Sequence, residues 1–70
     1  LVGSEMCIRD RDAIYVLEFK MNGTAEEALA QINSKGYAIP YEADHRKVVK
    51  VGINFDSTTR TIGDWEIETD

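Results

Sequence analysis

Glu18 and Lys20 stand two residues apart in Tyr15-Val16-Leu17-Glu18-Phe19-Lys20-Met21, a short apolar run with one charge of each sign set into it. Such a run reads as a buried β-strand, where charges are costly unless paired, hydrogen-bonded or bound to a metal. Strand side chains alternate between faces, so Glu18 and Lys20 point the same way, and Tyr15, Leu17, Phe19 and Met21 take the other face. A carboxylate in that place can hold a hard cation such as Mg2+. A neighbouring ammonium can position a water or offset developing negative charge.

The elements that must position this pair are legible around it. The first strand is expected over residues 13–21, and Asn22-Gly23 breaks the pattern. Thr24-Ala25-Glu26-Glu27 is a capping box: the Thr24 hydroxyl accepts from the third helical amide while Glu27 reaches back. A helix over residues 25–35 follows, with Ala25, Ala28, Leu29 and Ile32 as its apolar stripe. Gly36 is suited to a left-handed cap, with Tyr37 packing back on Ile32. Residues 38–45 form a connection in which Pro40 forbids a central strand. A second strand spans residues 47–55, with Val49, Val51, Ile53 and Phe55 on one face and Val48, Lys50, Gly52 and Asn54 on the other. After the turn at Asp56-Ser57-Thr58-Thr59, a last strand over residues 60–68 turns Trp65 and Ile67 inward and Glu66 and Glu68 outward. Strand, helix and strand in this order make a β-α-β unit with parallel strands and a right-handed crossover. The last strand adds at an edge. The fold class is α/β with a mixed sheet.

Residues 1–11, Leu-Val-Gly-Ser-Glu-Met-Cys-Ile-Arg-Asp-Arg, show no useful period and no clear turn chemistry. All eleven fit the codons of a transposase-type sequencing-library adapter read through in frame. The segment is expected to be a processing artefact, with native sequence from Asp12 onward. Cys7, the one cysteine, and Asp10 then drop out of any redox or metal argument. The net charge of −5 is untouched, because Glu5 and Asp10 offset Arg9 and Arg11. That acidic balance argues against this segment alone gripping a nucleic-acid backbone. No apolar run reaches membrane-spanning length, and the absence of cysteine after Cys7 suits a cytoplasmic protein.

Glu18-Phe19-Lys20 on a strand, followed by a helix containing Gln31, resembles the second half of the PD-(D/E)xK nuclease core, which runs helix, three strands, helix, strand with E-x-K on the third strand. The wider string is more specific. Residues 13–20, then Ala25-Glu26-Glu27-Ala28-Leu29-Ala30-Gln31-Ile32, Lys35-Gly36-Tyr37-Ala38, Pro40-Tyr41 and residues 46–55 resemble a bacterial family of such domains. That family stands C-terminal to AAA-ATPase-like domains and is frequent in gut anaerobes. The resemblance implies a partial restriction-endonuclease-like core over residues 12–70, a parent protein that hydrolyses phosphodiester bonds in nucleic acid with Mg2+, and an ATPase-like domain in cis. Glu18 would be the catalytic metal ligand, Lys20 the water-positioning or charge-stabilising group, and Gln31 the supporting polar residue. The strand that should carry the metal-binding Asp falls where the adapter stands, so the chain itself is expected to be inactive. Asp12 reads as a turn residue leading into the E-x-K strand.

Plainer roles compete at each position. Glu18 and Lys20 could form a cross-strand salt-bridge set on a solvated sheet face. A generic small α/β protein with no nuclease history would leave both of them exposed. A degenerate nuclease fold kept as a structural or protein-interaction module is the non-enzymatic alternative. Gln31 could be an ordinary surface helix residue. His45 reads as solvated, Tyr37 and Tyr41 as packing residues, Lys47 and Lys50 as solvated or phosphate-contacting, and Trp65 as a core anchor.

Overall fold

A computed structural model describes residues 3–69. Four strands form one mixed sheet in the order β1 (Gly3–Arg9), β2 (Ala13–Met21), β3 (Lys47–Asp56) and β4 (Thr61–Thr69). β2 and β3 are parallel, joined by helix α1 (Ala25–Lys35) and a short 3-10 turn over Ile39–Tyr41; β1 and β4 add antiparallel at the two edges.

The segment expected to be adapter-derived thus folds as an edge strand. Its turn chemistry comes from Asp10, whose Oδ1 accepts from the amides of Asp12 (2.9 Å) and Ala13 (2.7 Å). This is the local side-chain bonding that makes Asp a turn former. Asp12 lies in that turn, exposed, as its sequence context implies.

The local signals of the helix are realised residue by residue. Thr24 is extended (φ −137°), its Oγ1 accepts from the Glu27 amide at 2.9 Å, and Glu27 Oε1 accepts from the Thr24 amide at 2.9 Å. Gly36 closes the helix in the left-handed region at φ 69°, and the Tyr37 amide donates to the Ile32 carbonyl. Tyr37 packs against the cluster containing Ile32. Ala25, Ala28 and Ile32 are buried, while Leu29 is half-buried.

α1 covers one face of the sheet. Ile14, Val16 and Val48 meet Ile32 and Ala38 there, flanked by Cys7, Leu29, Tyr37 and Tyr41. Tyr15, Leu17, Phe19, Val49, Val51, Ile53 and Phe55 line the opposite face, and none of them is fully buried. No described element packs over that face.

This arrangement corrects the expectation for the last strand. Trp65 pairs with Ile53 and Ile67 with Val51, so alternation sets both on the uncovered face, where they are 63% and 58% exposed. Trp65 is not a core anchor. Glu66 and Glu68 lie on the helix side. Glu68 Oε1 accepts from Asn33 Nδ2 at 3.3 Å and its other oxygen lies 3.7 Å from Lys50 Nζ. Lys50, which also donates to Asn33 Oδ1 at 2.8 Å, is therefore engaged rather than merely solvated. Arg60 belongs to the turn at φ 60°, and the strand begins one residue later.

Candidate functional site

Glu18 sits at the middle of β2 on the face that α1 covers, and is 1% exposed. The reading that required both charges in open solvent is excluded, since Lys20 is half-buried on the same face. In the sheet, Glu18 has Glu5 of β1 directly opposite on one side and Gly52 of β3 on the other, with Glu66 next beyond Gly52. The neighbouring row is Lys20, Asn54 and Asp64.

Gly52 is the residue that buries Glu18. A Cβ there would run into the Ala25 carbonyl oxygen and stand 2.7 Å from the Leu29 nitrogen. Only a missing side chain lets the helix backbone come down onto β3 beside Glu18. Two further residues fix where α1 begins. Asn54 Oδ1 accepts from the Gly23 amide at 2.8 Å, and Asp64 Oδ2 accepts from the Ala25 amide at 3.2 Å, which also sets a carboxylate at the helix N-terminus. The sequence reading missed these three. A glycine inside a valine-rich strand is the signal that could have found Gly52; Asn54 and Asp64 carry none without the register.

The electrostatics of Glu18 follow from this packing. Burial holds its carboxyl above the usual carboxylate value; the Lys20 ammonium pulls it down, Glu5 pushes it up, and Lys35 pulls it down. Glu18 Oε1 is fully buried and has no hydrogen-bond partner among the described residues. An orphaned buried carboxylate oxygen is costly. It is also the donor chemistry that a hard divalent cation takes.

The structure brings Glu18 and Lys20 together. Gln31 is half-buried on α1, and among the described residues its side chain hydrogen-bonds to neither. Lys20 makes no ion pair among the described residues, and its charge acts on the Glu18 carboxyl. His45 has its side chain 87% exposed, as a solvated loop residue should.

Compared with known families, residues 4–65 match the model of the PD-(D/E)XK nuclease superfamily. The chain belongs to that superfamily. No curated protein and no solved structure matches it. The span matched to the PD-(D/E)XK family runs from within β1 to Trp65, and so includes Glu5, Glu18, Lys20, Gln31 and Gly52. Its mixed four-stranded sheet with one covering helix is an α/β arrangement consistent with part of a restriction-endonuclease-like PD-(D/E)XK fold.

Proposed function

We propose that this chain is the C-terminal part of a metal-dependent nuclease domain that hydrolyses phosphodiester bonds in nucleic acid. The observation that carries this reading is the buried Glu18 carboxylate, with one oxygen unpartnered among the described residues and the Lys20 ammonium acting on it from two residues on. Glu18 supplies an oxygen ligand for Mg2+. We read residues 1–11 as adapter-derived, so the second ligand, an upstream Asp, would come from the native strand that the adapter replaces. Bound Mg2+ would polarise the phosphate and lower the pKa of a water. Lys20 holds the attacking water and offsets the charge that grows on the phosphate. Gln31 supports that geometry from the helix. We extend the resemblance to an ATPase-like domain in cis and to a cytoplasmic protein; no described helix is long and apolar enough to cross a membrane.

A second reading is a catalytically inactive nuclease-fold module with a structural or interaction role; a native upstream strand with an apolar or basic residue opposite Glu18 would favour it.

The test restores the natural segment upstream of Asp12 by re-sequencing the locus with an adapter-free library, then assays Mg2+-dependent cleavage of DNA and RNA. An acid facing Glu18, with cleavage that Glu18→Ala and Lys20→Ala each reduce at least about 100-fold, establishes the nuclease. An apolar or basic residue there and no cleavage establishes the module. Adapter-like codons in the locus itself would overturn our reading of residues 1–11.

A further inference from the structure

The face of the sheet turned away from α1 is apolar from edge to edge. The register places Met6, Leu17, Val51 and Ile67 in one row across all four strands, and Phe19, Ile53 and Trp65 in the next. Met6 and Ile67 are exposed at the two edges, and Leu17 and Val51 are half-buried between them. The charges keep to the other side. Every acid that the described strands carry, from Glu5 and Glu18 to Asp64, Glu66 and Glu68, alternates to the face of the helix. Lys47, at the start of β3, is the one charged strand residue on the open face among the described residues.

The core under the helix is small, with Ile14, Val16, Ile32, Ala38 and Val48 as its buried members. A chain of 70 residues with one such layer is marginal, and association is one way a small domain gains a second. Strands of 7 to 10 residues stand four abreast, and at about 3.3 Å per residue and about 4.8 Å between strands the open face measures about 500 Å2. Two such faces brought together remove about 1,000 Å2 from water before the relief of the side chains is counted, which reaches the size of a specific interface.

A charged partner meets no complementary row on this face. A second copy does. It offers apolar rows to apolar rows, and two sheets of one sequence share the twist from which aligned packing at about −30° arises. The same patch serves on both chains, so the contact closes at two. The net charge of −5 does not oppose it. The strand acids stand behind each sheet, and sheets packed face to face are already about 10 Å apart, near the Debye length at physiological salt.

We propose that this face is a self-association surface, on which two copies of the chain pack sheet on sheet into a twofold dimer. The Glu18 face stays open in both copies, so the dimer stands or falls independently of the nuclease reading.

Trp65 is the sole tryptophan and lies on this face, so the unaltered chain reports on its own interface. The experiment is sedimentation equilibrium of the 70-residue chain, with acrylamide quenching of Trp65 at the same concentrations. It runs from about 1 to 300 µM, because an interface of this size dissociates in the micromolar range. The mass should rise from 7.9 kDa to twice that value, and the quenching should fall in step. At the dilute end the chain is a monomer with Trp65 in water, where a truncation of Trp65 is read free of the interface. Ile67→Lys sets a charge in the central row and should weaken the dimer at least about 100-fold. Met6→Lys should do the same from the opposite edge, so the result does not hang on the folding of one variant. Glu66→Gln makes the same change of charge on the helix face of the same strand and should leave the dimer intact. Circular dichroism checks that each variant is folded. A monomer at every concentration overturns the second copy and leaves the face to a different chain. A mass that climbs past two chains, or a dimer in which Trp65 stays as open to acrylamide as in the monomer, also overturns the inference. So does a dimer that folded Ile67→Lys and Met6→Lys chains still form.

Discussion

Glu18 on β2 stands in register with Gly52 on β3, and the side chain that Gly52 lacks is what allows α1 to close over Glu18. A carboxylate alone on a strand would be an ordinary surface group. The neighbouring glycine turns it into a buried one, because the helix backbone occupies the space a Cβ would need.

Gly52→Ala should therefore destabilise the chain by about 1–3 kcal/mol, and Gly52→Val by more, since the obstruction is backbone and cannot swing aside. Urea unfolding followed by circular dichroism checks this. A Gly52→Ala chain as stable as wild type would show that the helix is not held down at this point.

The raised Glu18 carboxyl has a consequence with a definite sign. Glu18 binds its proton more tightly in the folded chain than in the unfolded one. Its contribution to stability is therefore fully present below the ordinary glutamate value of about 4.3, and is lost as the pH rises through the folded value. Glu18→Gln keeps the shape without the charge. The variant should melt close to wild type near pH 4 and above it at pH 7. A melting difference that does not change with pH would mean that the carboxylate is solvated.

Asp44 works in the other direction. Its carboxylate accepts from Arg46 Nε at 2.9 Å, from Nη2 at 2.7 Å and from the Arg46 amide at 2.9 Å, and these contacts hold its carboxyl well below the usual range. The same guanidinium donates to the Asp10 carbonyl at 3.1 Å, so the pair ties the loop before β3 to the β1–β2 turn. An acid with a depressed folded value stabilises above its ordinary value of about 3.9, and that stability is lost as the pH falls through the folded one. Asp44→Asn should lower the melting temperature at pH 7, with the deficit shrinking under acid. An equal deficit at pH 7 and pH 2 would assign the effect to shape rather than charge.

Local chemistry made most of this fold readable. Thr24 with Glu27, Gly36 with Tyr37, and the apolar runs around Glu18 and Val49 each declare their element within a few residues, and the bounds of β2 and α1 follow from them. What stayed hidden depends on register. Trp65 and Glu66 alternate in either orientation, and choosing the inward face by hydrophobicity alone set Trp65 in the core. The pairing of Trp65 with Ile53, and a helix on the opposite face, decide otherwise. Asn54 and Asp64 were invisible for the same reason, since each acts across strands, whereas Gly52 stood out only as a glycine inside a valine-rich strand.

That correction can be checked directly. Trp65→Thr should change unfolding free energy by no more than about 1 kcal/mol, the scale of an exposed cross-strand pair. A buried tryptophan would cost about 3–5 kcal/mol on truncation. A loss in that larger range would return Trp65 to the core and require something to cover the Ile53 face.

The metal reading makes a prediction independent of turnover. A ligand that binds only the folded chain stabilises it by mass action, about 2.7 kcal/mol at a concentration one hundred times its dissociation constant. Glu18 is the buried oxygen donor whose charge a cation would offset, so Mg2+ should raise the melting temperature at pH 7 and do so less at pH 4, where the carboxyl holds its proton. Glu18→Gln should abolish the shift, because an amide removes the negative charge while leaving the packing in place. Lys20→Ala should leave the shift intact or enlarge it, since the ammonium competes for the same carboxylate. A Mg2+ shift of equal size in wild type and Glu18→Gln would locate the cation elsewhere and would remove Glu18 as its ligand.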